Sequence, residues 1–146
     1  MKLIPIKISV SEVFAMCGDD DNALRLFLCG YLGDYVSPDR FLAFKKKAMF
    51  HLDCTLHPDI IRNWMNGKDS QDSYGSEDFT DMQSPKCKAL LDTAEVAFNL
   101  AENLKILKNE DHGKRFRHFL VGWAFSGNLD QSIDDLINRG VMLSEE

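Results

Sequence analysis

Residues 84–107 read SPKCKALLDTAEVAFNLAENLKIL, and this stretch decides the fold class. Ser84 followed by Pro85 is a helix start. The serine side chain can accept from the open N–H groups of the first turn, and proline gives up an N–H that has no partner there anyway. Cys87, Leu90, Leu91, Ala94, Ala97, Phe98, Ala101, Leu104 and Leu107 then recur at steps of three and four, the period of one helix face. The spacing predicts a helix from Pro85 to near Lys108, broken by Asn109, Glu110 and Asp111. A stripe of that length needs other apolar helix faces to cover it.

Such faces are present on both sides. Ser9 and Glu12 form a capping box before Val10, Val13, Phe14 and Cys17. Asp19, Asp20 and Asp21 sit where a second helix begins, with Leu24, Phe27, Leu28, Tyr31 and Leu32 as its buried stripe and Gly33 as its stop. Ser37-Pro38 opens a third helix running to about His51, with Phe41, Phe44, Ala48 and Leu52 on one side. A short one spans Pro58 to Asn66 with Ile60, Ile61 and Trp64 inside. After the long helix, Phe116, Phe119, Leu120 and Trp123 mark another that ends near Gly127. The last follows Asn128 or Asp130, buries Ile133, Leu136 and Ile137, and closes at Gly140. The expected fold class is all-α: a multi-helix bundle of about seven helices in a single domain, residues 1–146. Residues 2–8 alternate Ile4, Ile6 and Ile8 with Pro5 and Lys7, the pattern of one short N-terminal edge strand. Its partner would be Val141–Leu143 or another chain, which makes a homodimer an open expectation. Residues 68–83 have no period and read as a flexible acidic loop.

The chain has 146 residues, of which 45% are hydrophobic and 27% charged, enough for a core without staples. Cys17, Cys29, Cys54 and Cys87 are scattered with no CxxC pair, and no export signal or membrane-length apolar run is present. Free thiols in the cytoplasm are the expectation. The net charge of −6 is unevenly placed. The acids gather at Asp69, Asp72, Glu77, Asp78 and Asp81, and again at Asp130, Asp134, Asp135, Glu145 and Glu146, while residues 86–127 are slightly basic. This pattern argues against bulk nucleic-acid binding, which needs a basic footprint, and permits a basic protein partner.

Three groups of residues carry chemistry that needs weighing. His51-x-x-Cys54-x-x-His57 places three soft-metal ligands within seven residues, with Cys87, His112 or His118 as a fourth. The spacing matches no common zinc pattern, and a histidine at a helix end beside a small buried cysteine explains it more simply. No cofactor is expected. Lys114, Arg115, Arg117 and His118, with His112 beside them, gather positive charge at the start of a helix, where it opposes the dipole. Such a cluster grips phosphates or carboxylates; the plainer reading pairs it with Glu110, Asp111, Asp134 and Asp135. Lys45, Lys46 and Lys47 point about 100° apart and do not form one patch. Asp19 does not open a calcium loop, because Leu24 and Gly30 stand where glycine and glutamate are needed. GxSxG, HExxH and GxxxxGK[ST] are absent from the chain, which gives an enzyme no visible centre.

The acidic loop is the remaining feature: Asp69, Asp72, Tyr74, Glu77, Asp78, Phe79 and Asp81 combine acids that steer with aromatics that anchor. The sequence therefore reads as a cytosolic protein-binding module of the inhibitor or immunity (antidote) type, acting by occupying a partner's surface. The alternatives are a phosphate- or nucleic-acid-handling protein using residues 112–118, and a metal- or thiol-dependent enzyme around His51–His57.

Overall fold

A computed structural model describes residues 4–69, 79–128 and 131–145. Among the described residues there are seven helices: α1 Val10–Cys17, α2 Asp21–Leu32, α3 Pro38–Ala48, α4 Pro58–Met65, α5 Pro85–Asn103, α6 Glu110–Ser126 and α7 Ile133–Leu143. The fold is all-α, and one contiguous apolar core joins all seven.

α2 is the axis of that core. Its sequence ALRLFLCGY is apolar almost all round, and every residue from Ala23 to Tyr31 is buried. The Asp20 carboxylate accepts from the N–H groups of Asn22 and Ala23 at 3.0 and 3.2 Å, and the Gly33 N–H donates to Cys29 O at 2.9 Å. Even Arg25 is only 3% exposed; it donates to Val36 O at 3.0 Å and lies against the Tyr35 ring. α6 crosses α2 in the most extensive helix contact of the molecule, and α5 and α7 pack on α6. α3 and α4 pair with each other, and α1 covers α2.

Gly30 and Gly122 set the α2–α6 crossing. A Cβ on Gly122 would lie 2.0 Å from Phe27 O, and a Cβ on Gly30 would lie 2.0 Å from Phe119 O. The two backbones touch where neither residue has a side chain. With α1 and α7 also packed on it, α2 is buried all round rather than along one stripe.

Four boundaries differ from the sequence expectation. α3 ends at Ala48, not His51, so Leu52 is exposed instead of buried. α5 ends at Asn103 although its apolar period continues through Leu104 and Leu107. α7 is capped by Ser132, whose Oγ accepts from Asp135 N at 3.2 Å, rather than by Asn128 or Asp130. It also runs through Gly140 to Leu143; residue 140 is glycine because a side chain there would strike the Phe116 and Phe119 rings, not because the helix stops.

The N-terminal arm pairs inside the chain. Lys7 N donates to Thr80 O and Thr80 N to Pro5 O, while Leu56 N donates to Ile8 O and Val10 N to Cys54 O, all at 2.8–2.9 Å. These contacts amount to isolated bridges, Ile6 with Thr80 and Ser9 with Thr55. The expected partner Val141–Leu143 is instead the last turn of α7. Ile6 and Ile8 are buried, as their shared parity required, and Ile4 is partly exposed. Pro5 contributes only its carbonyl, so its missing N–H costs nothing.

Candidate interaction surface

His51, Cys54 and His57 do not converge. His51 stacks on Trp64 with ring centroids 5.4 Å apart. His57 caps α4: its Nδ1 accepts from Asp59 N at 3.2 Å, and its ring meets Phe79 edge-on at 5.8 Å. The Cys54 N–H donates to His51 O at 3.0 Å, closing the turn between them. Among the described residues no three His, Cys, Asp or Glu side chains gather as a metal site.

The basic cluster is spread around α6. His112 is buried, accepts at Nδ1 from Lys108 N at 2.9 Å, and so carries its proton on Nε2, which donates to Val141 O at 3.0 Å. The Arg115 Nε donates to Ser144 O at 2.9 Å. These two contacts fasten α7 to α6. Arg117 lies 4.0 Å over the Phe98 ring and reaches Glu95 at 3.2 Å, and Lys114 faces Asp20 at 3.7 Å. Glu110, Asp111, Asp134 and Asp135, the partners expected for this cluster, are not the ones it uses. Replacing His112 with alanine strands the Lys108 N–H, leaves the Val141 carbonyl with only the Ser144 hydroxyl at 3.2 Å, and opens a void. The expected cost is about 3 kcal/mol in urea unfolding. An unchanged midpoint would show that the imidazole does not fasten α7.

His118 makes a contact that sequence spacing did not reveal. Its Nδ1 lies 3.8 Å from the Cys17 Sγ on α1. Cys17 and His118 are 101 positions apart, so only the fold brings them together. Burial, followed by the nearby Asp20 charge, pushes the Cys17 thiol up to about 12. Burial, then Lys114 and to a lesser degree Arg117, lowers the His118 pKa against the opposing pull of Asp20. A nucleophilic Cys–His pair needs a thiolate beside an imidazolium, and both shifts run the other way. Both shifts favour the neutral thiol and the neutral imidazole. The lowered His118 pKa means that the unfolded chain binds the proton better. Its contribution to stability is therefore present above the unfolded value of 6.5 and is lost as pH falls below it, through the folded pKa. The urea midpoint should fall between about pH 7.5 and about pH 5.5, and less so in His118→Gln. Equal slopes in the two proteins would remove His118 as the cause.

Of the acidic-loop residues, Asp72, Tyr74, Glu77 and Asp78 lie outside the described residues. Asp69 is ion-paired with Lys47, whose ammonium lowers its pKa. Asp81 is exposed and accepts from Ser84 N through its backbone carbonyl. Phe79 is only 9% exposed and is held by His57, so it anchors the loop's end to this chain's own core.

The exposed apolar groups lie elsewhere. Leu42 and Met49 are two turns apart on the outer face of α3, with Lys45 and Lys46 between them, and the four line a shallow depression of about 280 Å³. Phe50 follows directly and is 85% exposed. α3 thus has two apolar faces: Phe41, Phe44 and Ala48 point into the core, and Leu42 and Met49 point out. The Leu42–Met49 spacing of seven was visible in the sequence and marks one helix face. Lys45 holds Asp21 at 2.8 Å, and Lys47 brings Asp69, the near end of the acidic segment, to this end of α3.

No described helix is long and apolar enough to cross a membrane. No protein-family model, no curated protein and no solved structure matches the chain.

Proposed function

We propose that this chain is a cytoplasmic protein-binding module of the inhibitor or antidote type, which acts by covering part of a partner's surface. One observation carries the reading: Leu42 and Met49 line one solvent-facing depression with Lys45 and Lys46, and Phe50, next in the chain, is 85% exposed. Apolar side chains exposed singly need no explanation, but adjoining ones on one face mark a contact surface. Burying each fully is worth roughly 1.5–3 kcal/mol. Phenylalanine supplies a rigid anchor and methionine an adaptable one. Asp69, the first acid of the acidic segment, pairs with Lys47 on α3, which supports a reading in which that segment's acids steer a basic region of the partner. Cys17, Cys29 and Cys87 stand as buried free thiols, the usual state of cysteine in a reducing compartment.

Affinity capture from the cells that carry the protein tests this reading. The Leu42→Ser/Phe50→Ser double variant should lose a protein that the wild type retains, while Met142→Ser, at an exposed methionine on α7, keeps it. Serine at Asp72, Tyr74, Glu77 and Asp78 together tests the acidic segment without touching Phe79 or Thr80, which hold the arm and the core. The same proteins captured by wild type and double variant would defeat the reading.

A further inference from the structure

Two residues depart from what local backbone chemistry favours, and both line one groove. The first is Lys105. α5 closes with Lys105 N donating to Glu102 O at 3.0 Å and Ile106 N to Ala101 O at 3.4 Å, the bond pattern of a Schellman turn. Such a turn needs a left-handed residue, and Lys105 takes φ 57°. Every other described residue with positive φ is glycine. A Cβ makes this conformation unfavourable, so lysine stands where glycine would be more stable.

The second is Gly113, in the second turn of α6. A Cβ there would meet only Leu107 Cδ1, at 3.7 Å, which is ordinary contact. Alanine would fit and would favour the helix. The crossing glycines Gly30 and Gly122 have a steric reason to be glycine, and Gly113 has none.

The groove lies between the end of α5 and the first turns of α6 and has a volume of about 520 Å³. Phe98 and Leu107 give it apolar walls, and Lys105, Lys114 and Arg117 bring three cations to it. Arg117 is positioned by the Phe98 ring under its guanidinium, and Lys105 makes no ion pair with a described residue. Glu102 and Glu110 also line the groove, and Lys114 and Arg117 hold Asp20 and Glu95 in exposed ion pairs, which contribute little and can be exchanged for a ligand anion. Glu102 and Glu110 are acceptors for a ligand hydroxyl or amine. The Asn109 side chain is engaged in accepting from His112 N at 2.8 Å, so the site is built from side chains rather than from the helix end.

We propose that this groove binds a small aromatic molecule carrying one oxyanion, phosphate or carboxylate, with the ring against Leu107 and the edge of Phe98, whose faces are taken by Arg117 and Phe116, and the anion on Lys105, with Lys114 and Arg117 turning to it from Asp20 and Glu95. Of the basic residues singled out in sequence, only Lys114 and Arg117 take part. Arg115 is held by Ser144 O, and His118 faces Cys17. The site shares no residue with the α3 patch and does not depend on it.

The test is an amide-resolved NMR titration of the full chain with phenyl phosphate, and in parallel with benzoate, inorganic phosphate and benzyl alcohol. Phenyl phosphate or benzoate should shift the amides around Lys105, Gly113 and Lys114 with a Kd on the order of 1 mM; the tighter of the two identifies the anion. Inorganic phosphate and benzyl alcohol should each bind at least about fivefold more weakly, since each offers half of the recognition. Lys105→Gly and Gly113→Ala should each raise the Tm by about 3 °C, by relieving the two local costs. Lys105→Gly should also weaken the aromatic anion about fivefold or more. Shifts scattered over all exposed lysines, no shifts at the groove, or undiminished binding in Lys105→Gly would each overturn the proposal. A fall in Tm for both variants would overturn it as well, because Lys105 and Gly113 would then be structural requirements.

Discussion

Gly122→Ala is expected to cost more than about 3 kcal/mol, enough to leave a domain of this size barely folded. A Cβ at residue 122 would lie 2.0 Å from Phe27 O and 2.8 Å from Phe27 C. One at residue 30 would lie 2.0 Å from Phe119 O and 2.8 Å from Trp123 N. All four are backbone atoms and cannot swing aside. α2 and α6 would have to separate by about 1 Å or more at their crossing, which forfeits a large part of the dispersion contacts there. The rings that meet around it, Phe27 with Tyr31 at 6.1 Å and with Phe125 at 6.0 Å, would lose their fit together. Gly30→Ala should behave alike. The double variant should cost clearly less than the two single costs added, because one separation relieves both clashes. Urea unfolding followed by circular dichroism reads all three. Gly113→Ala is the control in the opposite direction: the same substitution, also in α6, is expected to stabilise. A wild-type midpoint for Gly122→Ala would show that the helices do not meet at these glycines.

What the sequence made legible was local. The capping box of Ser9 and Glu12 and the starts at Ser37-Pro38 and Ser84-Pro85 stand where read, with the serine oxygens accepting from Glu12, Arg40 and Cys87 N–H groups. These signals need only three or four neighbouring residues. Helix ends were less legible. Gly140 looks like a stop, but the Phe116 and Phe119 rings require it inside α7. Lys105 does stop α5, yet it is not the residue that announces a left-handed turn, so the apolar period read on to Leu107. The crossing of Gly30 with Gly122 and the pairing of the arm with residues 54–56 and 80 join distant segments, and no local pattern carries them.

The candidate sites failed to gather for a related reason. Residues 112–118 are contiguous in sequence, but successive positions on a helix turn by about 100°. His112 and Arg115 therefore face α7, His118 faces α1, and Arg117 covers Phe98. His51 and His57 flank a turn that sends one to Trp64 and the other to the start of α4. The outward face of α3 was within reach of the same periodic reading. Assigning Phe41, Phe44 and Ala48 to the core left Leu42 and Met49 as a second apolar line that needed its own explanation.

That line is where the other large effect is expected, on binding and not on folding. Phe50→Ser should leave the urea midpoint within the equivalent of about 0.5 kcal/mol of wild type, because an 85% exposed side chain gives the fold little. Affinity for the captured partner should fall by about 30-fold, the loss of an aromatic anchor worth about 2 kcal/mol. Leu42→Ser should cost less, since Leu42 is 50% exposed and part of its side chain already rests on the protein. Met49→Leu should be nearly neutral, because it keeps the apolar volume. Lys46→Glu separates steering from contact: a rim charge changes the association rate and its salt dependence, whereas Phe50 acts on dissociation. Surface plasmon resonance with the purified partner reads both rates. If Phe50→Ser binds with wild-type rates, the contact does not run through α3, and the four serine substitutions in the acidic segment become the deciding measurement.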